Sequence, residues 1–121
     1  MITGVVGVIL WTSNLEIMRR FYRDKLRLPL HSDHGDFVAF RFGEMRLNLG
    51  LHDAVQGPAN DPYRIMINLG VEDIHAEHRR LTGEGIEFLR PPEQESWGGW
   101  VATFKDPDGN LLQLLQIPPQ T

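Results

Sequence analysis

The stretch WGGWVATFKDPDGNLLQLLQ, residues 97–116, reads as a strand, a tight turn and a second strand. In the turn Pro107 presets one backbone angle, Gly109 takes a positive φ, and the Asp side chains bond to nearby amides. Strand alternation with period two then puts Leu111, Gln113 and Leu115 on one face of the last strand. A position able to carry a carboxylate into a pocket carries a neutral amide, Gln113, instead.

Reading outward, IEFLR (86–90) before Pro91 is a short strand, and EDIHAEHRRLTGEG is a helix closing at Gly83 or Gly85. YRIMINLGV (63–71) is the strand that opens this set. The same order stands earlier in the chain. GVVGVILW is rich in β-branched residues, and Ser13 or Asn14 offers a cap for the next element. In NLEIMRRFYRDKL, Leu15, Met18, Phe21, Tyr22 and Leu26 recur at steps of three and four, as one face of a continuous helix. PLHSD, FVAFRF and MRLNLGL follow as strands, and HDAVQGPANDP, without periodicity, reads as a connection.

Asn14-Leu15 and Asp73-Ile74 hold matching places 59 positions apart. This self-similarity predicts an α+β fold of two βαβββ modules forming a curved mixed sheet. Module 1 spans about residues 1–52, the linker about 53–62 and module 2 about 63–121, as a single domain over 1–121. Each module alone is too small to bury its sheet.

With 12 basic against 16 acidic residues and a net charge of −4, no large electropositive surface is expected, so nucleic acid is not the expected partner. The absence of cysteine removes disulfides and thiolate metal sites and favours the cytoplasm. The apolar run near the start is too short to span a bilayer, and no membrane partner is expected. No phosphate-cradling glycine loop and no G-x-S-x-G appears, and Glu44, Glu72 and Glu87 read as solvated charges.

Alternation assigns faces elsewhere too. In the first strand Gly7, Ile9 and Trp11 form one set; in MRLNLGL, Leu47, Leu49 and Leu51 lie under the helices and Arg46, Asn48, Gly50 and His52 lie opposite. In the fifth strand Met66, Asn68 and Gly70 share the face expected to be concave.

The two βαβββ patterns, with VEDI opening the second helix and the WG…F.DPDGN segment near the end, resemble the vicinal oxygen chelate superfamily. It comprises glyoxalase I, extradiol dioxygenases, fosfomycin resistance enzymes and bleomycin resistance proteins. In its metal-dependent members each module contributes two side chains, usually His, Glu or Gln, to one divalent ion. The resemblance places those positions on Gly7, Asn48, Met66 and Gln113. A glycine offers no donor, a thioether suits soft ions, and two amides do not hold Zn, Mn, Fe or Mg unaided. A shift of one residue meets only Val6, Val8, Leu47, Leu49, Ile65, Ile67, Leu112 and Leu114. No metal, no cofactor and no catalytic residue is therefore expected.

The expectation that remains is a metal-free binding protein, similar to the bleomycin resistance type, that sequesters a hydrophobic or aromatic small molecule such as an antibiotic. Its ligand-binding residues would be Gly7, Trp11, Asn48, His52, Met66, Asn68, Trp100 and Gln113. Trp11 offers a flat wall beside the space left by Gly7, and Met66 offers an adaptable thioether. Asn48, Asn68 and Gln113 supply orienting hydrogen bonds. Trp97 reads as structural and Trp100 as the freer of the pair. His52, near the mouth, is the one histidine placed close to ligand; His31, His34, His75 and His78 read as solvated or half-buried. The resemblance also implies a homodimer with clefts at the interface. The alternative is a divergent glyoxalase- or dioxygenase-like metal-dependent lyase or isomerase using His52 or other histidines.

Overall fold

The first strand, β1 (Gly7–Thr12), ends where Thr12 turns inward and its Oγ1 accepts the Asn14 N–H at 2.9 Å. The computed structural model describes residues 1–119, so the last two positions of the expected second module lie outside the described residues. Asn14 holds the N-cap place of α1 (Leu15–Arg19), but its side chain makes no capping bond. The expected single helix does not continue. From Arg20 to Lys25 the backbone is π-helical, closed by the Leu26 N–H on the Phe21 carbonyl at 2.9 Å. Within this wider turn the adjacent pair Phe21 and Tyr22 both bury, which a 3.6-residue repeat does not do with one narrow stripe.

Strands β2 (Leu30–Asp33), β3 (Phe37–Phe42) and β4 (Met45–Leu51) complete the first unit. Their order is β1-β4-β3-β2, with β1 parallel to β4 and the other pairs antiparallel. Val8, Leu10, Leu47, Leu49, Val38 and Phe40 share the helix-facing side by register, and Phe40 meets the Tyr22 ring at 6.5 Å. Leu51 has the same parity but, as the last residue of β4, is 51% exposed. Beside it an open hollow of about 440 Å³ is lined by Ser13, Asn14, Ile17 and Gly35 among others.

Arg19 ties this unit together. It is buried, pairs with Glu16, donates to the Gly35 carbonyl, and brings Nε to 2.9 Å from Asp33 Oδ2 without aiming the N–H at that oxygen. Burial pushes the Asp33 carboxyl up, but the Gly35 N–H and the guanidinium groups of Arg19 and Arg23 outweigh it and hold it below its usual value.

The chain divides between Gly57 and Pro58 into two units. The expected strand over 63–71 is shorter, since Pro62–Arg64 forms a 3-10 turn and β5 covers Met66–Gly70. Helix α2 (Ile74–Gly83) is capped by Asp73, whose side chain accepts the Ala76 N–H at 3.1 Å. Its first N–H, from Ile74, reaches Gln116 Oε1 at 2.7 Å. Strand β6 (Phe88–Gln94) runs through Pro91 and Pro92, where the sequence reading stopped it. An edge strand with shifted register tolerates two missing N–H donors. Strands β7 (Trp100–Lys105) and β8 (Leu111–Gln116) follow, giving the order β5-β8-β7-β6.

The strands thus hydrogen-bond as two four-stranded mixed sheets, one per βαβββ unit, as the two expected βαβββ modules require. The fold is α+β. The register also matches: Gly7 is to Arg46, and Ile9 to Asn48, as Met66 is to Leu111 and Asn68 to Gln113. Among the described residues no helix is long and apolar enough to cross a membrane.

Candidate functional site

In the first unit the side of the sheet opposite α1 is built in rows across β1, β4 and β3. One row holds Gly7, Arg46 and Arg41; the next Ile9, Asn48 and Ala39; the third Trp11, Gly50 and Phe37. Gly7, Trp11 and Asn48 therefore share this face as expected. Asn48 is half-buried, and its Oδ1 is enclosed without a hydrogen-bond partner among the described residues.

Trp11 is 41% exposed and lies across Gly50, where an added Cβ would come within 2.6 Å of its ring. The Phe37 ring stands 6.3 Å away on the far side of Gly50, and the His52 ring meets Trp11 edge-on at 5.2 Å. His52 Nδ1 accepts the Ala54 N–H at 3.0 Å, so the neutral imidazole carries its proton on Nε2. Its acceptor nitrogen is engaged by backbone, which leaves a donor rather than a base beside the indole.

The second sheet carries a polar row at the matching place. Gln113 Nε2 donates to Asn68 Oδ1 at 3.1 Å, and Thr103 Oγ1 lies 3.5 Å from Gln113 Oε1. Asn68 is exposed, so the row ends on an Nδ2 group with no bond among the described residues. Met66 is half-buried one row away, beside Leu111.

Trp100 does not join this set. It has the parity of Ala102 and Phe104, opposite to Thr103 and Gln113, and its ring stands 4.8 Å from His75 of α2. The reason is strand alternation: Trp100 and Thr103 are three residues apart and point to opposite sides. Trp97 lies in the turn before β7 and folds over Gly99, where a Cβ would meet its ring at 1.9 Å. His78 packs edge-on against Phe88 at 4.5 Å. Phe37 and Thr103 complete the two faces although the sequence reading passed over them. Alternation within FVAFRF and WVATFK separates them from the core, but only the register shows which row they join.

A divalent ion is what the resemblance implies for the metal-dependent relatives, and the donor set does not fit one. Gly7 has no side chain, Met66 brings a thioether, and Asn48 and Gln113 bring neutral amides, with Gln113 already bonded to Asn68. Among the described residues no three His, Cys, Asp or Glu side chains come together.

The profile of the glyoxalase/bleomycin resistance protein/dioxygenase superfamily matches residues 4–114, and the chain belongs to that superfamily. A protein of Shewanella frigidimarina is 36% identical over 66 residues, 54% of this chain and 47% of its own length. YetH of Bacillus subtilis is 27% identical over 121 residues, 94% of this chain and 98% of its own. The bleomycin resistance protein of Klebsiella pneumoniae is 35% identical over 54 residues, 45% of this chain and 36% of its own. The chain thus spans less than half the length of the Shewanella and Klebsiella proteins.

Among solved structures, a superfamily member from Sphaerobacter thermophilus matches with a TM-score of 0.75 at 26% identity, covering 96% of this chain and 98% of that one. Lactoylglutathione lyase from Agrobacterium tumefaciens matches with a TM-score of 0.74 at 18% identity, covering 96% and 95%, a likeness of fold.

Proposed function

We propose that this chain is a metal-free receptor that binds and sequesters a hydrophobic, partly aromatic small molecule on the open faces of its sheets. The observation that carries the reading is Trp11, half-exposed over Gly50 and edged by Phe37 and His52, on the strand face that holds Gly7 and Asn48. An indole face stacks on a flat ligand with about 0.5–1.5 kcal/mol beyond area burial. Neutral amides, Asn48 on the face of the first unit and Asn68 with Gln113 on that of the second, each orient a ligand on their own face without a charge to bind an ion. The partial likeness to a bleomycin resistance protein agrees with sequestration rather than turnover. A cytoplasmic homodimer, with each cleft completed by the partner, belongs to the same reading.

The test is titration of the purified, untagged protein with a panel of aromatic natural products, read by tryptophan fluorescence. A saturable quench that is lost in Trp11→Ala and unchanged by chelator supports the reading. Stoichiometric Zn, Ni, Mn or Fe that is lost on changing Gln113 or His52 sinks it in favour of a metal-dependent lyase or isomerase.

A further inference from the structure

Arg41 and Arg46 are directly opposite each other on the antiparallel strands β3 and β4. The Arg46 N–H goes to the Val6 carbonyl and the Arg41 N–H to the Pro29 carbonyl, each away from the other strand. They therefore form a non-hydrogen-bonded pair, the kind in which side chains start closest, with Cβ atoms about 5 Å apart. Like charges so placed destabilise a hairpin. Among the described residues neither guanidinium has a carboxylate partner, and the one side-chain bond of the pair runs from Arg41 Nε to the Gly43 carbonyl at 2.8 Å. Arg19, Arg23, Arg64, Arg80 and Arg90 all have one.

The pair lies on the Trp11 side of the sheet, since Phe40 and Leu47, one residue away on each strand, face the helix. Gly7 completes the row without a side chain, lying against the Arg46 backbone, where an added Cβ would come within 3.0 Å of the Arg46 carbonyl oxygen. Two exposed cations that start from directly opposed positions without a counter-charge leave a place for an anion whose two oxygens each accept from one guanidinium. From this row to Trp11 and Phe37 is four residues along β1 and β4, about 13 Å of backbone.

We propose that Arg41 and Arg46 form a carboxylate-binding site, so that the ligand of this face is an organic anion with its apolar or aromatic body along Ile9 and Trp11. The identity of the whole ligand rests on the receptor reading above; the anion site does not. The net charge of −4 speaks for cationic or neutral ligands, and the local charge of this row outweighs it at contact distance.

The experiment compares 1-pyrenebutyrate with its neutral amide, 1-pyrenebutyramide, on the wild-type chain and on Arg46→Gln, Arg41→Gln with Arg46→Gln, Arg46→Glu and Trp11→Ala. The carboxylate is expected to bind about 10-fold tighter than the amide, the worth of one charge-assisted bond in a partly exposed site. That preference shrinks in Arg46→Gln and vanishes in the double variant. Arg46→Glu, which turns repulsion into an ion pair with Arg41, raises the melting temperature while removing the preference.

Equal binding of both probes to the wild type, or a preference that survives the double variant, overturns the anion site. In either case, loss of both probes in Trp11→Ala still leaves the receptor reading standing. Arginine-dependent binding that ignores Trp11→Ala upholds the anion site and removes the aromatic wall. Failure of both probes to bind the wild type overturns both.

Discussion

Gly50→Ala tests the packing beneath Trp11. The new Cβ would lie 2.6 and 2.9 Å from two indole carbons and 3.1 Å from a Phe37 ring carbon, where ordinary contact starts at 3.4 Å. The indole is partly exposed, so it swings away and the backbone stays. What is lost is its contact with Phe37 and His52, two aromatic pairs at about 0.5–1.5 kcal/mol each. Removing a glycine from a strand returns about 0.5–1 kcal/mol. The net expectation is destabilisation of about 1 kcal/mol, or a melting temperature lower by about 4 °C.

The second unit supplies the control. Gly70 holds the place of Trp11, and its partner Leu115 holds that of Gly50, so large and small residues are exchanged between the sheets. A Cβ on Gly70 meets nothing within 4 Å, so Gly70→Ala is expected to be neutral or slightly stabilising. Urea unfolding followed by circular dichroism, together with the Trp emission maximum, measures both. Gly50→Ala should shift that emission to the red, and Trp11→Gly with Gly50→Leu should cost less than the two single changes summed. A Gly50→Ala protein as stable as Gly70→Ala, with unshifted emission, refutes the account of this face.

Asp33→Asn removes one of the two carboxylates of buried Arg19, leaving it Glu16, and should cost about 1–2 kcal/mol at pH 7, read by urea unfolding. Because the folded Asp33 carboxyl lies below its unfolded value, the unfolded chain takes up the proton first. Wild-type stability contributed by this group is therefore complete above about pH 4 and declines as pH falls through the folded value, and the acid limb of Asp33→Asn should be shallower. Asp106→Ala removes the acceptor for the Asp108 and Asn110 N–H groups and the Asn110 side chain, each at 2.9 Å. Losing these bonds at a buried site should cost about 3 kcal/mol, a fall of about 10 °C in a thermal melt.

The order of elements was legible because it depends on local signals. DPDGN made its turn with Asp106 as the acceptor, and both βαβββ repeats were visible in alternation and in the matched N-cap places of Asn14 and Asp73, of which only Asp73 makes a side-chain capping bond. Local signals failed where a neighbour decided. The helix after Asn14 changes to a π-helical turn to bury adjacent side chains, and β6 accepts two prolines because it is an edge.

The same division runs through the candidate site. The family resemblance implied that Gly7, Asn48, Met66 and Gln113 stand where metal-dependent relatives hold their ion, and the chemistry of those side chains is independent of their exact placement. Which residues stand beside them depends on register across strands far apart in the chain, and periodicity along one strand carries no information about that. Pairing alone brought Phe37 to Trp11, Thr103 to Gln113 and Arg41 to Arg46.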